Sequence, residues 1–289
     1  MKDYVIRAID EKGTIRVFVA STTNLVEEAR KIHNTMPTGT AALGRTLTAA
    51  SIMGTMMKNE KESISIQFRG DGPIKNIAVV SNSKGEVKGY VGDPTVDLPL
   101  KSNGKLDVGG AVGRNGRVIV IKDFGLKDPY IGQSSIVSGE IAEDLTYYFA
   151  NSEQQPSAVN LGVLVDRDLS VKAAGGYIVQ LLPGTLDEDI DKLEECIKNS
   201  EPISTLIDKG LTPEEILENV FGKFNMNILD RKEVSFKCNC SRDKIETTLR
   251  SLGEKEIKSM IEEDGKAEVI CHFCNEKYNF SKEDLKSLL

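Results

Sequence analysis

The sequence predicts an α+β protein: an antiparallel β-rich N-terminal core domain with packed helices, a helical linker, and a small C-terminal α+β domain. Three observations predict it. Apolar residues alternate strictly over 63–68, with Ile64, Ile66 and Phe68 on one face, and comparable runs recur between Gly-rich turns through the first 180 residues. After Pro183 and Gly184 the pattern changes to short acidic helices separated by breakers. The last 59 residues hold four of the five cysteines as two close pairs, Cys238 with Cys240 and Cys271 with Cys274, thirty residues apart. Paired cysteines across such a spacer are the signature of a tetrahedral Cys₄ zinc site. The predicted division is therefore 1–180, 181–230 and 231–289.

In the first region, 4–9 and 14–20 read as strands joined by the turn residues Asp10, Glu11, Lys12 and Gly13. A helix over 24–33 follows, with Asn24 as its cap and Glu27 at the reciprocal capping-box position. The segment 40–57 is rich in Ala, Leu, Ile and Met but is interrupted by Arg45, Thr46, Thr48, Ser51 and Thr55. Those polar groups predict a buried core helix rather than a membrane span. Strands are predicted at 63–68, 74–81, 86–91, 117–122, 159–166 and 171–182. A helix over 138–150 places Ile141, Leu145, Tyr148 and Phe149 on one face. Arg69, Gly70 and Asp71 match an adhesion tripeptide, but before Gly72 and Pro73 they read as a turn. The glycines around 109–113 lack the strand–turn–helix context of a dinucleotide site, and no P-loop is present.

The linker begins with a helix over 185–199, for which Thr185 and Glu188 form a capping box and Ile190, Leu193 and Ile197 a narrow apolar stripe. Pro202 breaks it. A turn of helix over 203–209 ends at Gly210. Thr212, Pro213 and Glu215 then start a helix with a cap, proline at its first position and glutamate at its third. Helices this short are marginal in water, so they need a surface to dock on. In the last region, Ser241 caps a helix carrying Ile245, Leu249 and Leu252. A second helix carries Ile257, Met260 and Ile261. Strands over 268–270 and 277–280 flank the second cysteine pair, and Ser281 starts a final helix with Leu285, Leu288 and Leu289.

The net charge is −7, unevenly placed. Residues 181–230 hold twelve acids and four bases, whereas 231–289 hold twelve of each. No extended basic face is implied, so nucleic acid is not the expected partner. The first ten residues carry charges and no apolar core of a signal peptide, which predicts a cytoplasmic protein with reduced thiols and no membrane association.

Four thiolates fill the coordination sphere of zinc, which leaves no open position for a catalytic water. One zinc per reduced chain is predicted on Cys238, Cys240, Cys271 and Cys274, with His272 outside the ligand set. Zinc holds its cysteines in the oxidisable thiolate form. Cysteines two apart, as in Cys238 and Cys240, can bridge only near the long end of the allowed Cα separation, which predicts a labile bond suited to regulation. Cys196, beside Leu193 and Ile197, reads as a small buried hydrophobe. No acid–base or nucleophile constellation predicts an enzyme.

With these residues in view, the chain resembles the redox-regulated heat-shock holdases known as the 33 kDa chaperonins. The C-x-C and C-x-x-C pairs match. So do the run SGEIAEDLTYYFANSEQQPSAV over 138–159, QFRGDGP over 67–73, AAGG over 173–176 and QLLPG over 180–184. Cys196 lies outside the family's zinc set. The resemblance implies an ATP-independent chaperone of the stress response and of protein refolding that binds unfolded or partly folded client proteins. It implies that the reduced, zinc-bound form is inactive and that the linker covers an apolar surface. It further implies that oxidation releases zinc and pairs Cys238 with Cys240 and Cys271 with Cys274, and that the active form is a homodimer. The alternatives are a static zinc-ribbon protein of RNA handling or translation, and a thiol oxidoreductase working through Cys238 and Cys240.

Overall fold

A computed structural model describes residues 2–289, which divide into two compact units, one ending at Phe236 and one spanning Lys237–Leu289. The first unit opens with the expected hairpin of β1 (Tyr4–Ile9) and β2 (Ile15–Ser21). Its turn is fixed by Asp10, whose carboxylate accepts from the backbone amides of Thr14 at 2.7 Å and Ile15 at 2.6 Å. Then follow α1 (Thr23–His33), α2 (Pro37–Thr55), β3 (Ser63–Arg69), β4 (Asn76–Asn82), β5 (Glu86–Val91) and α3 (Val108–Val112). The rest of the predicted core region is β6 (Arg117–Asp123), β7 (Tyr130–Ser135), α4 (Ala142–Asn151), β8 (Ser157–Val165) and β9 (Val171–Leu181). The predicted linker, 181–230, folds as α5 (Asp187–Asn199), α6 (Ile203–Asp208) and α7 (Pro213–Phe221), and the first unit closes with β10 (Asn227–Glu233), which straddles residue 230, and β11 (Ser235–Phe236).

Two sheets result. One has strand order β10-β1-β2-β9-β8 and is antiparallel throughout; the other has order β11-β5-β4-β3-β6-β7, antiparallel except for the short parallel pair β11 with β5. Helix α2 touches strands of both sheets and is buried on every side, as its composition predicts. Its hydroxyls do not break the apolar packing because they turn back onto their own helix: Thr46 donates to the Ala42 carbonyl, Thr48 to Gly44 and Ser51 to Leu47, at 2.8–2.9 Å. Gly44 lets the helix approach its neighbours, since a Cβ there would lie 2.6 Å from Val26 Cγ1 and 2.9 Å from Val163 Cγ2. Among the described residues no helix is long and apolar enough to cross a membrane.

The turn at 69–73 docks on α3. Gly72 N–H donates to the Val112 carbonyl and Ile74 N–H to Ala111, both at 3.0 Å. A Cβ on Gly72 would lie 2.3 Å from the Ala111 oxygen, so the glycine serves backbone-to-backbone packing.

The β10–β8 sheet is covered on both faces. Val5, Phe18, Ala20 and Ile178 join the main core around α2, whereas the alternate residues Tyr4, Ile6, Val17, Val19, Tyr177 and Val179 face away from it. That second face is closed by Leu193 of α5, Ile203 and Leu206 of α6, and Ile216, Leu217, Val220 and Phe221 of α7. The acidic linker helices thus have the docking surface they need; of the predicted α5 stripe, Leu193 and Ile197 join this cluster and Ile190 does not. Cys196 is half-buried at the margin of this cluster.

Some local expectations are corrected. Helix α1 is not closed by a box of Asn24 and Glu27. Its N-cap is Thr22, and the Asp3 carboxylate accepts from Leu25 N–H at 2.6 Å and from the Asn24 amide at 3.0 Å. Glu27 instead binds Arg30 at 2.7 Å and Val171 N–H at 2.9 Å. These bonds, the Arg30 guanidinium foremost, hold its carboxyl at about 2. Helix α4 starts at Ala142 rather than 138, because Asp144 draws the amides of Val137 and Ser138 onto its side chain at 2.8 and 2.9 Å. Thr185 does not box with Glu188. It donates to the carbonyls of Thr14 and Leu182, and α5 starts two residues later. The box of Thr212 and Glu215 forms as expected.

Candidate metal centre

The second unit is built from α8 (Arg242–Ser251), α9 (Glu254–Glu263), the hairpin of β12 (Lys266–Ile270) with β13 (Lys277–Ser281), and α10 (Lys282–Ser287). Its core is small: Leu249, Ile257, Ile261, Phe280, Leu285 and Leu288 are buried, with Ile245, Met260 and Tyr278 packed at the edge. Leu252 and Leu289, expected in the apolar stripes, are about half exposed at 49% and 47%. Ser241 and Ser281 cap α8 and α10 as predicted.

Two backbone features present the cysteines. The hairpin between β12 and β13 is a tight knuckle: Cys271 N–H donates to the Glu276 carbonyl at 2.9 Å and Asn275 N–H to Cys271 at 2.8 Å, with Asn275 in the left-handed region. This turn points Cys271 and Cys274 to the same side. The first pair lies in the extended stretch before α8, where the Lys244 ammonium donates to the Asn239 carbonyl at 2.7 Å. Arg242 ties the start of α8 to the hairpin. It lies over the Phe280 ring at 4.5 Å, donates to the Asn279 carbonyl at 2.9 Å and pairs with Asp284 at 3.0 Å.

The four sulfurs meet. The ligand atoms of Cys238, Cys240, Cys271 and Cys274 all lie within 4.8 Å of one another, with Cys238 to Cys271 at 3.8 Å and Cys240 to Cys274 at 3.3 Å. A tetrahedron of sulfurs about 2.3 Å from a central zinc has edges of about 3.8 Å. The donor set therefore fits a dication of that size and softness. Among the described residues this is the only group of its kind, and neither His272 nor Cys196 belongs to it.

The electrostatics point the same way. Burial raises the Cys238 and Cys274 thiols above the ordinary value. Burial also raises Cys240, but hydrogen bonds from Tyr278 and then from the other three thiols outweigh it and bring Cys240 below the ordinary value. Four clustered sulfurs do not share negative charge on their own; a central dication held by Cys238, Cys240, Cys271 and Cys274 would keep all four as thiolates. The Tyr278 hydroxyl, 3.1 Å from Cys240 Sγ, is the group the sequence reading missed. Its only sequence signal is an aromatic residue four places after the last cysteine.

The matches to known proteins span the whole chain. Residues 3–281 fit the model of the Hsp33 protein family. A 33 kDa chaperonin of Thermoanaerobacter sp. (strain X514) is 50% identical over 289 residues, covering 100% of this chain and 98% of that protein. The 33 kDa chaperonin of Bacillus subtilis (strain 168) is 51% identical over 286 residues, covering 99% and 98%. The crystal structure of the 33 kDa chaperonin of Thermotoga maritima, a heat shock protein 33 homologue, superposes with a TM-score of 0.91 at 41% identity, covering 100% of this chain and 98% of that one. Identity of this order across two folded units and the cysteine cluster leaves one assignment: the chain belongs to the Hsp33 family of chaperones.

Proposed function

We propose that this chaperone is a redox-regulated, ATP-independent holdase whose reduced form carries one zinc on Cys238, Cys240, Cys271 and Cys274. Peroxide converts the four thiolates to two disulfides, Cys238 with Cys240 and Cys271 with Cys274, and releases the metal. The zinc-binding region 231–289 and the linker 181–230 then lose order, and the core region 1–180 offers apolar surface to unfolding client proteins, as a homodimer. The setting is the cytoplasm, and neither nucleic acid nor catalytic turnover is part of this reading.

The observation that carries the proposal is the gathering of four sulfurs within 4.8 Å on a unit whose own core is six buried side chains. Such a unit depends on its staple, so losing the metal changes its folding state and not only its chemistry. The linker fits the second half of the reading. Its helices of thirteen, six and nine residues are too short to persist undocked, and they cover a continuous apolar sheet face. A bistable element biased by a local chemical event is what a switch requires.

The direct test is thermal aggregation of a model client, with reduced and peroxide-treated chain compared and zinc release followed in parallel. Holding activity should appear only after oxidation and should track zinc release. Zinc release without any gain of activity would instead favour a static zinc-ribbon protein.

Cys196 should be dispensable. Its thiol packs at the edge of the linker cluster, outside the sulfur group. Cys196→Ser should keep full zinc content and oxidative activation, at a cost of about 1 kcal/mol in stability for a hydroxyl in a half-apolar site. A zinc-loaded C196S chain that no longer activates would show that a fifth thiol takes part.

A further inference from the structure

The switch proposed above uses four sulfurs, and the Tyr278 side chain touches one of them. Tyr278 lies on β13 opposite Val269 of β12, and its ring packs at the edge of the small core. Its hydroxyl reaches Cys240 Sγ at 3.1 Å. The ring is thus held by packing, and the hydroxyl is aimed at one sulfur of the four. A metal-bound thiolate carries no proton, so the phenol is the donor and the sulfur the acceptor.

Donation to a thiolate draws on the lone pair that would attack an electrophile, and hydrogen bonds to ligand sulfurs tune metal–thiolate centres generally. We propose that Tyr278 is a positioning residue that slows the oxidation of Cys240 selectively and so sets the oxidant threshold of the switch. This rests on the redox reading above.

The step it retards can be written in full. The Cys240 thiolate attacks one oxygen of hydrogen peroxide; the S–O bond forms, the O–O bond breaks, and hydroxide leaves. Sulfur is oxidised to the sulfenic acid while peroxide is reduced. A neighbouring thiolate, Cys238 in the pairing proposed above, then attacks that sulfur, displacing a second hydroxide as the S–S bond forms. In the first transition state the lone pair is already committed to oxygen, so the phenol stabilises the resting thiolate more than the transition state.

A purely structural role for the hydroxyl would affect zinc retention and all four cysteines together. A brake on nucleophilicity affects Cys240 alone. The test uses the full zinc-loaded chain and N-ethylmaleimide, with each cysteine's alkylation rate read by peptide mass spectrometry. Tyr278→Phe keeps the packed ring and removes the donor. It should bind one zinc like the parent chain. Its Cys240 rate should rise about three- to tenfold, the share of a charge-assisted hydrogen bond lost at the transition state, while Cys271 and Cys274 stay within about twofold. Peroxide-driven zinc release should quicken in the same variant.

A 3-fluorotyrosine placed at 278 is a stronger donor on the same ring, and it should slow Cys240 instead. That arm decides the matter if Y278F fails to hold zinc. An unchanged Cys240 rate in both replacements, or four cysteines accelerating together, overturns the proposal. Faster alkylation with unchanged peroxide sensitivity overturns the threshold role. The alkylation rates do not depend on regulation. If oxidised parent chain gains no holding activity, the redox reading fails, while the Cys240 rates still report on Tyr278.

Discussion

Removing zinc, by a chelator under reducing conditions or by peroxide, should unfold residues 237–289 outright and leave 1–180 folded. The magnitudes decide this. A structural zinc contributes about 10–16 kcal/mol to folding a small domain. A single core in a chain of this length seldom supplies more than about 3–5 kcal/mol. Here that core is Leu249, Ile257, Ile261, Phe280, Leu285 and Leu288. The caps at Ser241 and Ser281 add about 1 kcal/mol each. Surface pairs such as Lys258 with Glu254 add less still. None of these offsets loss of the metal. The larger unit contains no zinc ligand, and its main core runs through both sheets and the buried helix α2.

Hydrogen exchange read by mass spectrometry tests both halves in one measurement. Amides of α8, α9 and the β12–β13 hairpin should exchange at the rate of an unstructured chain once zinc is gone, while those of α2 and β3 stay protected. Continued protection of the hairpin after complete zinc release would mean that the sulfurs hold no structural metal, and with it the order-to-disorder switch would fall.

What the sequence reveals here follows the range of the interactions. The Asp10–Gly13 turn, the caps at Thr212, Ser241 and Ser281, and the alternation over 63–68 are short-range or periodic, and all appear in the structure. The cysteine pairs are legible because their spacing is itself the signal. Of the helix starts that differ, α4 is delayed by its own Asp144, and the other two are places where a distant group won. Asp3 replaces a local cap at α1, and the Thr14 carbonyl takes the Thr185 hydroxyl. Strands β7 and β10 went unread because both are sheet edges. Ile131, Ile228 and Leu229 are exposed there, so no buried face imposes an alternation. Likewise, the Tyr278 contact with Cys240 spans 38 positions and leaves no local pattern.

Phe221→Ala should undock the linker and produce a chain that holds clients while still reduced and zinc-loaded. Phe221 is fully buried, and its ring meets Tyr177 edge-on, with centroids 5.3 Å apart and planes at 89°. Truncating a buried phenylalanine costs about 3–5 kcal/mol. The polar ties along the linker are mostly exposed, apart from the bond that the buried Tyr4 hydroxyl donates to Glu214 of α7 at 2.5 Å. Lys12 meets Asp189 at 2.8 Å, Lys172 meets Asp208 at 3.1 Å and Arg231 meets Glu214 at 3.8 Å. Each contributes at most about 1 kcal/mol. Docking therefore rests on the apolar face, and Phe221 is its largest fully buried side chain from the linker. Helix α7 has nine residues and does not persist in water alone, so weakening its seat loosens the whole helix. A loss of about 3 kcal/mol should raise amide exchange in 213–221 about a hundredfold or more. The sheet face of Ile6, Val17, Tyr177 and Val179 then becomes accessible to a hydrophobic dye and to unfolding proteins. Phe221→Leu, which keeps most of the volume, should cost about 1 kcal/mol and remain oxidant-dependent. If F221A retains zinc and exposes this face yet gives no protection against client aggregation, the surface beneath the linker is not where clients bind.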